Sequence, residues 1–262
     1  FKTVSKGALA IKNKLNDFVE KGKKIIIIDA VSSVDLEQIA LAVDKCQYKI
    51  LPSGSAGLAN ALGVIWLPEG VREPVNKKIP HLPKLILSGS KNSITVSQIN
   101  KLALEDEIDN VLFIDLKLDN IFKNDYVELS ERIAENFGKD NVIVLHVNKL
   151  EDELKENSNN EKLIDEGITR EDLADKITDY LANVAKVTNS KAQYILLTFG
   201  GETSYKCAKA IDCKFLQVVD NILPAISLCM DSNAKFVLTK SGNMGNANAL
   251  IDIINYFKRH EE

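Results

Sequence analysis

The strongest constraint in this sequence is its alternation of short apolar runs with stretches of helical period. The runs include Lys24-IIII-Asp29, Lys84-LILS-Gly89, Asn110-VLFID-Leu116, Asn141-VIVLH-Val147 and Lys235-FVLT-Lys240. Each is too short for a helix and rich in branched residues, as expected for strands buried on both faces. Further strands are expected at Tyr48–Leu51, Tyr194–Thr198, Phe215–Val219 and Ile226–Met230. Between them, helical spacing runs over Ala8–Val19, Thr95–Leu104, Tyr126–Phe137, Ser204–Ala210 and Ala247–Phe257. Ser32-x-x-Asp35 and Thr169-x-x-Asp172 have the form of capping boxes and start two more helices. Strands alternating with helices imply βαβ units: an α/β chain with a mostly parallel sheet and helices on both faces. Such sheets collect ligands outside the carboxyl ends of their strands.

One stretch breaks the pattern. LPEGVREPVNKKIPHLPK, Leu67 to Lys84, holds four prolines, and proline sustains neither a helix interior nor a strand ladder. It separates residues 1–66 from residues 84–262 through a linker at 67–83; the other reading is a long surface loop within one domain. The polar, Asn-rich EDELKENSNNEKLIDEG that starts at position 151 reads as a solvated excursion without chemistry.

Composition narrows the function. The 262 residues are 45% hydrophobic and 27% charged, with a formal net charge of −4. That is a soluble globular composition without a basic stripe for nucleic acid. No apolar run reaches the ~20 residues of a membrane helix, and FKTVSKGALAIKNK at the start lacks the apolar core of a secretory leader. A cytoplasmic protein without nucleic-acid or membrane partners is therefore expected. Phe1 in place of a starting Met is expected of a processed or truncated product. The four cysteines form no C-x-x-C and the three histidines lie far apart, so no metal-ligand set is expected and the thiols read as reduced and buried. The Walker loop, a G-x-G-x-x-G after a strand, the G-x-S-x-G elbow and the protein-kinase signatures are all missing.

Four turns share one grammar. Gly54-Ser55-Ala56-Gly57, Ser88-Gly89-Ser90, Gly200-Gly201-Glu202-Thr203 and Ser241-Gly242-Asn243-Met244-Gly245 each follow an apolar stretch and precede a helix. A helix start offers unpaired N–H groups and the positive end of a dipole. Glycine lets a ligand approach that backbone, and Ser and Thr add hydroxyl donors, so the combination suits phosphate. Any one turn is equally a plain connection. Three in residues 84–262, at one end of one sheet, point to a nucleotide or phosphate site. Glu202 has two readings, a residue complementing the helix dipole or a ligand to Mg²⁺, water or a ribose hydroxyl. Lys240 either supplies positive charge to the last turn or is an exposed strand end.

In order along the chain, IIIIDAVSSVDLEQIA, LPSGSAGLANAL, LILSGSKNSITVSQI, LLTFGGETS and FVLTKSGNMG resemble segments of the four-carbon acid sugar kinase family. The resemblance covers roughly Lys24 to Gly245. It implies a Rossmann-like nucleotide-binding domain at 84–262, preceded at 1–66 by the remnant of a second α/β domain, the C-terminal part of the family's substrate-binding domain. It implies ATP and Mg²⁺ as cofactors and an acid such as threonate, erythronate or 3-oxo-tetronate as phosphoryl acceptor. The residues it places at ATP are Ser88, Gly89, Ser90, Gly200, Gly201, Glu202, Thr203, Lys240, Ser241, Gly242, Asn243 and Gly245. Asp29, Gly54, Ser55 and Gly57 it places by the sugar acid, near an interdomain cleft. Met244 stands where the family more usually has phenylalanine. The acidic D-D-x-T-G-type segment that opens the family's N-terminal domain has no counterpart here, so the catalytic base is not identified. The expectation is the ATP-binding part of a sugar-acid kinase, partnered by a second copy of itself or by a separate N-terminal domain. The alternatives are a nucleotide-binding or regulatory subunit, or degenerate fragment, without turnover of its own, and an oxidoreductase with an unusual dinucleotide loop.

Overall fold

The computed structural model describes residues 2–67, 78–138, 142–150, 154 and 167–261. The chain divides into two compact units, Phe1–Glu73 and Pro74–Glu262. Most of the expected linker and the Asn-rich excursion lie outside the described residues.

In the first unit a 3₁₀ turn (Val4–Lys6) precedes α1 (Ala8–Glu20), α2 (Ser33–Asp44) and α3 (Ala56–Trp66). The start of α2 is the expected capping box: the Ser32 hydroxyl accepts from the Asp35 N–H, and the Asp35 carboxylate accepts from the Ser32 N–H. Val4, Ile11, Leu15, Ile39 and Ala42 form the core between the helices. The strands expected at Lys24–Asp29 and Tyr48–Leu51 do not form. Ile26, Ile28 and Ile50 pack on the helical core, while Ile25 and Ile27 are 86% and 89% exposed. The period-2 alternation lays one face of the run on the helices. A strand also needs ladder hydrogen bonds to a neighbour, and this run forms no strand ladder among the described residues of the unit.

The second unit is the expected α/β sandwich. Its elements run β1 (Lys84–Ser88), α4 (Ser93–Ala103), β2 (Val111–Asp115), α5 (Leu118–Lys123), α6 (Tyr126–Glu135), β3 (Val142–His146) and α7 (Arg170–Lys191). Then follow β4 (Ile195–Phe199), α8 (Gly201–Ala210), β5 (Leu216–Leu223), β6 (Ile226–Asp231), β7 (Phe236–Lys240) and α9 (Ala249–His260). The seven strands lie in the order β2-β3-β1-β4-β7-β6-β5. The first five are mutually parallel, and the β5–β6 hairpin adds an antiparallel edge. Strand alternation sends Leu85, Leu87, Ile143 and Leu145 to the core under α6, α7 and α8. Ile86, Val144, Leu197 and Leu238 go to the core under α4 and α9 on the opposite face. The neighbours β1 and β4 therefore lead to helices on opposite faces, which makes a crevice at their carboxyl ends. Helix α5 has no counterpart in the sequence reading. Among the described residues, no helix is long and apolar enough to cross a membrane.

Candidate functional site

Parallel register decides which residues meet at the carboxyl edge. Asp115 pairs with His146, His146 with Ser88, Ser88 with Phe199 and Phe199 with Lys240. The ends of β2, β3, β1, β4 and β7 thus form one row, and three of the four glycine-rich turns leave from its β1, β4 and β7 members.

The three turns close on one another. A Cβ on Gly89 would lie 2.6 Å from Thr203 Oγ1, and one on Gly242 would lie 2.5 Å from Ser90 Oγ. Real Cβ atoms do not approach so closely, so these glycines are what lets the turns pack together. Gly200 sits at φ 111°, ψ 135°, a conformation that a side chain disfavours strongly. There the chain turns from β4 directly into α8, three residues before the expected helix start. The Gly200 N–H donates to the Lys240 carbonyl at 2.9 Å, and Ser204 Oγ donates to the Gly200 carbonyl at 2.8 Å. Gly201 differs: a Cβ there meets nothing within 4 Å. Glycine at 201 leaves the first turn of α8 bare, and that turn carries unpaired N–H groups at the positive end of a dipole. Glu202 is exposed beside it, and Thr203 is buried. A cavity of about 640 Å³ opens on Gly201 and the Thr239–Ser241 chain.

The Ser241–Gly245 turn is held from α4, by residues that sequence reading did not single out. Thr95 Oγ1 donates to the Gly242 carbonyl at 2.7 Å. Gln98 Nε2 donates to the carbonyls of Met244 and Asn246 at 3.1 and 2.7 Å. Ser241 Oγ bonds the Asn243 side chain at 3.0 Å. Lys240 is no exposed strand end: it is 1% exposed. Its ammonium donates to Thr95 Oγ1 at 3.3 Å and to the Ser241 carbonyl at 3.1 Å, and lies 5.0 Å from the Phe199 ring centroid. No carboxylate pairs with it among the described residues. Burial alone accordingly draws its pKa down to about 8. Ser88 Oγ is a fully buried hydroxyl without a hydrogen-bond partner.

Further along the row, His146 is buried with Nδ1 3.0 Å from Asp115 Oδ1, and Lys149 Nζ lies 2.7 Å from Asp115 Oδ2. Burial pushes the imidazole pKa below its usual value, against the pull of Asp115. The sequence signal for this pair was the polar residue closing each apolar run. Asp29, Gly54, Ser55 and Gly57 all lie in the first unit. Asp29 ends the Lys24–Asp29 run, Gly54 and Ser55 precede α3, and Gly57 lies within it.

Residues 85–250 match the model of a nucleotide-binding C-terminal domain, and residues 1–62 that of a sugar-binding N-terminal domain. The chain is 24% identical over 259 residues to a D-threonate kinase of Salmonella typhimurium, covering 93% of this chain and 57% of that protein. Among solved structures, a Haemophilus influenzae protein from a family of unknown function superposes with a TM-score of 0.68 at 20% identity, over 98% of this chain and 59% of its own. A Bordetella bronchiseptica protein, solved as a domain-swapped dimer with bound citrate, gives 0.52 at 16% identity, over 96% and 57%. The chain thus spans somewhat over half the length of these relatives.

Proposed function

The chain belongs to the four-carbon acid sugar kinase family, and on that premise we propose that its second unit binds ATP for phosphoryl transfer to a four-carbon sugar acid. The observation that carries this reading is the meeting of three glycine-rich turns at the β1/β4 crevice, with Gly201 bare beside a cavity and Ser88 Oγ without a partner. These features fit a nucleotide phosphate: backbone donors, open space and a spare hydroxyl.

Phosphoryl transfer asks a protein chiefly for positioning and charge neutralisation. ATP supplies the phosphoryl group, and Mg²⁺ offsets its charge. The backbone of Gly200–Thr203 and the Ser241–Gly242 turn bind and orient the phosphates, with Ser88, Gly89 and Ser90 closing the third side. Glu202 is the exposed carboxylate able to hold Mg²⁺, directly or through water. Thr95 and Gln98 keep the Ser241–Gly245 turn in shape, and Lys240 supplies a positive potential from behind it. Asp29, Gly54, Ser55 and Gly57 are the first unit's candidates for the sugar acid. No residue of this chain is assigned as the base.

The test is a melting curve of the full chain with Mg²⁺ and ATP. A ligand at a hundred times its Kd stabilises by about 2.7 kcal/mol, so millimolar ATP raises the Tm by several degrees; no shift refutes the reading. A second reading is nucleotide binding without turnover. A coupled ADP-release assay with threonate and erythronate separates the two. Self-association, suggested by the domain-swapped Bordetella neighbour, is checked by light scattering.

A further inference from the structure

We infer that the cleft along α8 receives the nucleobase, by stacking it rather than by reading its edge; this rests on the ATP reading above. At about 640 Å³, the cavity has the volume of a small-molecule site. One end is Gly201 and the Thr239–Ser241 chain, where the phosphates are placed. The other end is lined by Tyr205, Phe215 and Leu216, and phosphate binding uses none of them. Tyr205 and Phe215 are 62% and 61% exposed, so their rings offer apolar surface that the fold itself does not cover.

The spacing along α8 suits one extended ligand. Gly201, Tyr205 and Ala208 follow at helical intervals and line the same cavity. Seven residues at ~1.5 Å rise span about 10 Å, room for a phosphate at the helix start and a ring one to two turns along. Ala208, with its single methyl, leaves that path open.

Of the cleft's polar side chains, Ser204, Cys213, Lys240 and Ser241 bond within the protein, and Lys209 and Lys214 are exposed lysines that offer a base edge no fixed partner. Ser204 Oγ accepts from Thr198 Oγ1 at 2.9 Å and donates to the Gly200 carbonyl. Cys213 Sγ donates to the Phe215 carbonyl at 3.3 Å. Among the described residues, no aspartate or glutamate lines the cavity. A base is then held by its face, so the larger rings of adenine and guanine bind alike and better than pyrimidines.

The experiment is calorimetric titration of the full chain with ATP, GTP, CTP and inorganic tripolyphosphate, each with Mg²⁺, for the wild type, Tyr205→Ala/Phe215→Ala and Tyr205→Phe. Stacking on one aromatic contributes roughly 5- to 150-fold in affinity. The double variant is expected to lose ATP and GTP affinity on that scale and to keep its tripolyphosphate affinity, while Tyr205→Phe stays near wild type. Circular dichroism confirms that the variants are folded, as expected for two surface residues. Unchanged ATP affinity in the folded double variant overturns the inference and leaves the ATP reading standing. CTP binding as tight as ATP also overturns it. Failure of both ATP and tripolyphosphate to bind the wild type removes the ATP reading and this inference together.

Discussion

Lys240→Met removes a charge that the fold holds without a counter-charge. The lysine is 1% exposed, with a hydroxyl, a carbonyl and an aromatic face as its neighbours. Burial brings its pKa from 10.5 to about 8. Between these values the unfolded chain binds more protons than the folded one, so the lysine's contribution to stability rises with pH across that window. Below about pH 8 the penalty for the buried cation is present in full. It is relieved as the folded-state lysine gives up its proton, and the gain ends once the unfolded lysine titrates near 10.5. At ~1.36 kcal/mol per unit, the gain from about pH 7 to pH 10 is on the order of 2–3 kcal/mol. Methionine fills similar space and does not titrate. The assay is urea denaturation of both proteins across this range, taking the difference at each pH so that other titrating groups cancel. The difference is expected to shift by about 2–3 kcal/mol in favour of the wild type as pH rises. A difference that stays constant with pH refutes the claim of an uncompensated buried ammonium. The same variant is expected to bind ATP more weakly at about pH 7, through loss of the positive potential.

Gly242→Ala drives a Cβ to 2.5 Å from Ser90 Oγ and is expected to destabilise by about 1–3 kcal/mol, whereas Gly201→Ala meets nothing in the protein and lowers ATP affinity with little change in Tm. Thermal melts and ATP titrations of the pair test the contrast, and equal loss of stability at both positions would defeat it. Glu202→Gln is expected to weaken the Mg²⁺-dependence of ATP binding, measured by calorimetry over a Mg²⁺ series; an unaltered dependence returns Glu202 to a helix-dipole role. The Lys84 ammonium lies 2.7 and 2.8 Å from the two oxygens of the Glu261 carboxylate, and both side chains are buried. Glu261→Ala strands that charge and costs about 3–5 kcal/mol in urea denaturation, a loss that a surface ion pair would not show.

The sequence by itself determined the class of the second unit. Apolar runs of four or five residues between helical stretches leave little but a parallel sheet with helices on both faces, since only that arrangement buries such runs on two sides. The capping boxes at Ser32 and Thr169 were equally legible, because a cap is local chemistry within four residues. So were the turns at Ser88, Gly200 and Ser241, whose glycines stand out in any reading. Strand order and register belonged to the tertiary structure. They placed Asp115, His146, Ser88, Phe199 and Lys240 in one row from segments far apart in the chain. They also separated glycines that look alike in sequence: Gly89 and Gly242 answer to neighbouring side chains, Gly200 to its dihedrals, and only Gly201 of these four faces open space. Lys240, ambiguous as a strand end, became a buried cation because α4 covers it with Thr95. The run at Lys24–Asp29 shows the converse. Its composition favours a strand, but a strand exists only through hydrogen bonds to a neighbour, and no composition supplies one.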